Sequence, residues 1–343
     1  MNALNAATDP RHLEEQWTTV KASDPHLRIR DAAARLNVSE ATLLSLLLGK
    51  GVRRLKCEPP RFLSSLDTVG SLMALTRNDS VVLECHGPYQ GLSVQGNVGL
   101  MTGPIDLRLD FSSWTQAFAE EKDHAGRRLR SVQFFDASGV AIHKLYLEDE
   151  TKAADWEALV SSFLHEDQTS PFLAPAVSAV REARSGDAAA LREGWAALSD
   201  PHHFHGLLRK TGFDRLSAFE AVEGRFTRRV EPGALKTALS AAADIVPVML
   251  FVGNRGCLQI YTGPVSRVGT MGTWVNVFDE AVNLHADVSG IATAWVVEKP
   301  SPDGTVTSLE LLDAQGGTLL QMFGKRKPGE PELTAWTQLA ASL

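Results

Sequence analysis

Three of the ten histidines fall within four residues, in the stretch Ser199-Asp200-Pro201-His202-His203-Phe204-His205. Imidazole offers a metal a neutral nitrogen lone pair near physiological pH, so a cluster of this kind points to metal ligation. Asp200 can cap a helix, and Pro201 fits a first helical position, where no backbone N–H is needed. The pattern predicts a helix from Pro201 to Thr211. At about 100° per residue, His202 and His205 lie roughly 60° apart on one face while His203 points elsewhere. One face then offers a metal two alternative imidazoles. The partial positive charge at a helix N-terminus disfavours imidazolium and keeps the lone pair free. Structural zinc is the competing use of such a cluster. It takes four protein ligands, however, and neither Cys257 nor His285 lies nearby in sequence.

The turn needs a scaffold, and the chain is long enough to build one. Its 343 residues, 44% hydrophobic and 22% charged, allow two ordinary domains or one large one. A net charge of −7 gives no general attraction to nucleic acid or anionic lipid. Cys57, Cys85 and Cys257 are odd in number and widely spaced, which suggests neither a disulfide framework nor a CxxC metal site. No CxxCH occurs, so covalent haem attachment of the c type is excluded. The N-terminal stretch has no basic region leading into an apolar run, and no apolar run of about 18 residues occurs anywhere. The expected location is the cytoplasm, without membrane insertion.

The order of elements is written twice. Helical patterns from His12 to about Lys50 and from Phe62 to Leu75 precede β runs beginning at Val81, and a helix from Ala153 to Leu164 closes the first half. Helical patterns at Ala188 to Ser199, Pro201 to Thr211 and Leu235 to Ala243 then precede a second set of β runs, closed by a helix from about Glu332. Asp136 and Asp313, Trp156 and Trp336, and Trp17 and Trp195 stand at nearly one spacing, about 178 residues, far too long a period for a solenoid. The expected fold is therefore α+β, a tandem structural repeat in which each half is a large antiparallel β-sheet with helices packed on it. The expected boundaries are 1–165 for the first repeat, 166–187 for a linker rich in Pro, Ser and acidic residues, and 188–343 for the repeat that carries the histidines.

Five stretches carry a resemblance. WAALSDPHHFHGLLRK, VMLFVGNRGCLQIYTGPV, VNLHADVSGIATAWVVEKP, LLQMFGKRKPGEPELTAW and, in the first half, RIRDAAARLNVSEATLL resemble the HemS/ChuS/PhuS group of bacterial cytoplasmic haem-handling proteins, in the same order and over essentially the whole chain. The resemblance implies one non-covalent haem b in the second half, with His202 as proximal iron ligand. His205 would serve as an alternative ligand, and His203 would stand beside them. It implies Arg326 over the distal face, as the catalytic residue if the protein is an enzyme. It further implies Arg215 and Lys299 at the propionates and haem edge, Gln321 and Phe251 lining the pocket, and Arg108 as a further contact from the first half. On spacing alone, Lys325-Arg326-Lys327 is a charge run at a strand end and Phe251 a core residue. Leu320 stands where relatives often carry an aromatic residue, and Glu298 where a base is common. Both departures bear on distal packing and propionate affinity.

Three functions are candidates, and the first two share these residues. The leading expectation is a haem carrier in a haem-uptake system, taking haem from an inner-membrane importer and delivering it to a downstream haem oxygenase. The second is an oxygenase-type haem-degrading enzyme. It would need an external reductase, because no flavin or nicotinamide motif is present. The third is a haem-responsive DNA-binding regulator. It would use the helical pair RDAAARLNVSEATL, which resembles a helix-turn-helix, together with Arg28, Arg30, Arg35, Arg53, Arg54 and Lys56 around it.

Overall fold

The structure is a computed structural model and describes residues 9–25, 27–124, 126–174, 184–327 and 329–343. The chain divides into two compact units. One comprises Met1–Thr76, His86–Ser178 and Asn254–Cys257; the other comprises Arg77–Cys85, Ala179–Gly253 and Leu258–Leu343. Among the described residues no helix is long and apolar enough to cross a membrane.

Each unit lays helices on an antiparallel sheet, the α+β repeat that the sequence predicts. In the first unit the strands run in the order Val52–Leu55, Gln116–His124, Arg127–Phe135, Ala141–Leu147, Ser71–Arg77. In the second the order is Thr227–Val230, Thr293–Ser301, Gly304–Leu312, Thr318–Gly324, Val248–Gly253, and then Cys257–Gly263. Even the irregularities repeat. The register shifts between Phe134 and Phe135 in one copy and between Leu311 and Leu312 in the other. The turn after each bulge is closed by its aspartate. Asp136 accepts from the backbone N–H of Ser138 and Val140 at 2.9 and 3.0 Å, and Asp313 from those of Gln315 and Gly317 at 2.7 and 2.8 Å. A short carboxylate that bonds its own backbone favours such a turn, which is why aspartate stands in both copies. The paired tryptophans are all buried.

In the second unit the core under the helices is aromatic. Trp195, Phe204, Phe219 and Trp295 are each at most 2% exposed and pack with Leu191, Leu208 and Val297. The Trp195 indole N–H donates to the Glu298 carbonyl at 2.8 Å, so its one polar atom is satisfied inside that core.

Three short strands depart from the sequence expectation. Val52–Leu55 and Thr227–Val230 span four residues each, too few for periodicity to register. Ser71–Arg77 lies in the Phe62–Leu75 stretch expected as helix. The helix Pro59–Ser64 and a 3-10 turn at Ser65–Thr68 stop at Gly70, whose φ of +86° breaks the helix. Beyond it Leu72, Ala74 and Thr76 turn inward at every second residue. The expected linker falls partly outside the described residues, at 175–183. Its opening is bound to the first unit: Arg54 pairs with Asp167 at 3.3 Å, and the Phe172 N–H donates to Ser45 Oγ at 2.9 Å.

Candidate functional site

Asp200 shapes the histidine turn. One carboxylate oxygen accepts from the backbone N–H of His202 at 2.8 Å and from its ring Nδ1 at 2.6 Å. The His203 N–H closes onto the Asp200 carbonyl at 3.0 Å. Drawn tight in this way, Pro201–His203 forms a 3-10 turn, and the α-helix starts only at Phe204, running to Thr211 and ending at Gly212 with φ +81°. The expected continuous helix from Pro201 is corrected accordingly. All three histidines line one open depression of about 540 Å3, with Leu198, Leu207 and Lys210 also on its wall.

His202 is open to solvent, its side chain 92% exposed. A carboxylate can only accept, so the ring proton lies on Nδ1 and Nε2 turns its lone pair outward. Hydrogen bonds from the His202 backbone and then its ring hold Asp200 below the usual carboxylate range, which keeps the charge that orients the imidazole. His205 is pushed down from its ordinary value, first by burial of its ring and then by the Arg215 charge, which favours its neutral form.

Phe204, between the histidines, anchors the turn. It is 2% exposed and meets Trp195 edge-on at 4.6 Å between ring centres. Full burial of such a ring contributes about 1.5–3 kcal/mol. Two cations cover it, Lys299 Nζ at 4.9 Å and the Arg215 guanidinium at 5.3 Å from its centre. Both bind Glu310, a fully buried carboxylate that the sequence reading passed over. Arg215 NH1 takes Oε2, while Lys299 Nζ takes Oε1 at 2.6 Å beside Ser308 Oγ at 3.0 Å. Burial pushes the Glu310 pKa up, but the Arg215 and Lys299 charges outweigh it and bring it to about 2. Burial lowers the Lys299 pKa, with Glu310 opposing. The two cations that the resemblance gives to propionates are thus already held by a carboxylate of the chain itself.

The sheet brings two further candidates together. Glu310 lies opposite Gln321, and Gln321 opposite Phe251, so the three side chains share one face. Phe251 stacks edge-on against Phe323 at 5.1 Å; Met249, opposite Phe323, continues a half-buried apolar strip. Leu320 and Glu298 alternate to the other side from Gln321 and Lys299, so neither departure from the family pattern lies on this face. Arg326 follows the strand and turns toward Asp303, 3.7 Å away. Arg108 belongs to the first unit, where it pairs with Asp106 and donates to the Met101 and Leu107 carbonyls.

The other uses of these residue types fit less well. Cys257 sits buried against Thr76 in the first unit, and His285 bonds Asn276 at 2.7 Å. The helix-turn-helix resemblance has its expected turn, with Asn37 at φ +53° and Ser39 capping Thr42 at 3.1 Å. The second helix, Glu40–Ser45, nevertheless has all six residues buried, so it presents no side chain to a groove. Of the surrounding cations, Arg35 pairs with Asp24, Arg53 with Glu157 and Arg54 with Asp167.

Comparison with known proteins agrees with this architecture. The model of the Haemin-degrading HemS.ChuX domain matches twice, over residues 37–163 and 212–343. The Yersinia pestis "Hemin transport protein HmuS" is 37% identical over 336 residues, covering 96% of this chain and 97% of that one. The crystal structure of holo-PhuS, a heme-binding protein from Pseudomonas aeruginosa, superposes with a TM-score of 0.92 at 43% identity, covering 98% and 99% of the two chains. The Escherichia coli O157:H7 heme degrading enzyme ChuS superposes with a TM-score of 0.90 at 34% identity, with the same coverage. Two family matches, full-length relatives and a repeated sheet make this chain a tandem member of the HemS family of haemin-degrading HemS.ChuX domains.

Proposed function

We propose that this protein binds haem b non-covalently in the cytoplasm, holding the iron through His202, and delivers it to downstream degradation. The carrying observation is the geometry of His202: an exposed imidazole with Nδ1 fixed by Asp200 and Nε2 open over a depression that two more imidazoles line. His205 is the alternative ligand, which gives iron a second stop when His202 lets go. The apolar strip of Met249, Phe251 and Phe323 suits a macrocycle, with Gln321 as its polar neighbour. Haemin titration followed in the Soret region tests the ligand. His202→Ala is expected to bind about tenfold more weakly, with an altered spectrum, the loss being limited by His205. An unchanged midpoint and spectrum would remove His202 from the iron.

Haem degradation is the second reading, favoured by the heme degrading relative ChuS. Arg326, only 20% exposed and turned to Asp303, is the candidate distal cation, and an external reductase is the required partner. Reduced, haem-loaded protein would be mixed with oxygen in the presence of catalase. Soret loss with a defined tetrapyrrole product is the expected signature of catalysis, and a persistent haem spectrum assigns carriage alone.

A further inference from the structure

We propose that Asp303 is a positioning residue that latches Arg326 away from the ligand, so that an anion arriving at the distal position must compete with this carboxylate for the guanidinium. The proposal rests on the second reading above, in which Arg326 is the distal cation. The latch is built at the end of a strand. Thr318–Gly324 carries Phe323 on the apolar strip, while Gly324 faces the other way, where an added Cβ would come within 2.5 Å of Trp336 on the closing helix Thr334–Ser342. Lys325 extends the ladder by one bond, its N–H reaching the Pro247 carbonyl at 2.8 Å. The chain then folds back. Asp303, at the tip of the hairpin closed by Ser301 and Gly304, accepts from the Gly329 N–H at 2.9 Å through Oδ2, the same oxygen that lies 3.7 Å from Arg326 NH2. Lys325 and Lys327 are exposed, whereas the Arg326 side chain is only 20% exposed. Burial raises the pKa of a second carboxylate, Glu332, and the Arg326 charge opposes that. The Glu332 oxygens already accept from the Thr307 N–H at 2.9 Å and from Thr337 Oγ1 at 3.3 Å. Asp303 thus holds both the arginine and the returning backbone, and the arginine is the part that can leave.

Asp303→Asn separates the two duties, because an amide oxygen still accepts from Gly329 but carries no charge. In the haem-free protein, an arginine-selective dicarbonyl reagent is expected to label Arg326 about threefold faster in the variant than in the wild type, as read by peptide mass. In the ferric haem-loaded protein, sodium fluoride supplies the distal anion and is titrated by absorbance. Asp303→Asn should bind fluoride about threefold to fivefold more tightly than the wild type, the range for losing a partly exposed ion pair. Arg326→Met should bind it roughly tenfold more weakly than the Asp303→Asn protein, as for one charge-assisted hydrogen bond, and adding Asp303→Asn to Arg326→Met should change nothing. The sign is decisive. A carboxylate that aims the guanidinium at the ligand, rather than holding it back, would make Asp303→Asn weaken fluoride, and that result overturns the proposal. So would equal labelling of Arg326 in the two haem-free proteins, or a fluoride gain that survives in Arg326→Met. Fluoride affinity indifferent to Arg326 in both backgrounds ends the distal reading and the proposal with it, whereas a failure confined to Asp303 ends the proposal alone. A wild type that takes up no haem defeats both.

Discussion

Glu310→Ala is expected to lower the unfolding free energy by about 3–5 kcal/mol, the range for breaking a buried ion pair by removing one partner. The size follows from what remains. Arg215 and Lys299, 12% and 5% exposed, would face each other across Phe204 with no counter-charge. Lys299 would answer by giving up its proton, since burial already lowers its pKa. That response sets the sign of a pH effect. The folded variant would bind fewer protons than the unfolded chain, so its deficit should shrink as pH rises toward about 10.4, the ordinary lysine value. The wild type shows the mirror image at the acid end. Glu310 sits near 2 when folded, so its contribution is complete above the ordinary value of about 4.3 and lost as pH falls through 2. Urea unfolding of both proteins at pH 7 and pH 9.5 checks this. A deficit below about 1 kcal/mol, or one that widens at high pH, would mean that the triad stabilises nothing.

The histidine turn was legible because its side chains are unusual in type and close in sequence, and the tandem fold because tryptophans and aspartates return at one spacing. The triad was not legible. Glu310 in the run Ser308-Leu309-Glu310-Leu311-Leu312 looks like the polar position of a strand; only the pairing of Glu310 with Trp295, and the helix laid across that face, make it a buried anion between Arg215 and Lys299. Long-range register of this kind has no local signature. A repeat signal was present but easily passed over: Ser23-Asp24-Pro25-His26 copies Ser199-Asp200-Pro201-His202. In the first copy Asp24 lies 3.5 Å from Arg35 NH2, and His26 is outside the described residues. The equivalent sheet position of Glu310 in the first unit is Gln133, opposite Phe118 as Glu310 is opposite Trp295. The two copies thus keep the pairing and differ in charge at this position.

Stability is expected to fall with pH below about 6.5 at up to about 1.4 kcal/mol per unit from His143 alone. This histidine is fully buried in the first unit, its Nδ1 2.9 Å from Thr76 Oγ1 and its Nε2 3.5 Å from the Tyr89 hydroxyl. Trp114 and Tyr89 stand 6.1 Å from its ring centre, and Cys257 Sγ lies 3.2 Å from the same threonine. No carboxylate is among these neighbours, so nothing there rewards an imidazolium. Burial pushes the His143 pKa down to about 3, against a small opposing effect of a backbone hydrogen bond at Leu75, and pushes the Cys257 thiol up to about 12. The sign is fixed by linkage. Between about 6.5, where the unfolded histidine takes its proton, and 3, where the folded one does, the unfolded chain holds one proton more, and acid drives unfolding. Above 6.5 both states are neutral and the effect vanishes. His143→Leu isolates the contribution. Leucine is the residue at the matching strand position, Leu320, opposite Leu311 as His143 is opposite Phe134. Thr76 keeps Cys257 as a partner in the variant. Urea midpoints at pH 7.5, 6.5, 5.5 and 4.5 are expected to diverge, the wild type losing stability more steeply than the variant below 6.5. Parallel curves would show that His143 accepts its proton in the folded protein as readily as in water, and that the Thr76–His143–Tyr89 contacts open in acid without cost to the fold.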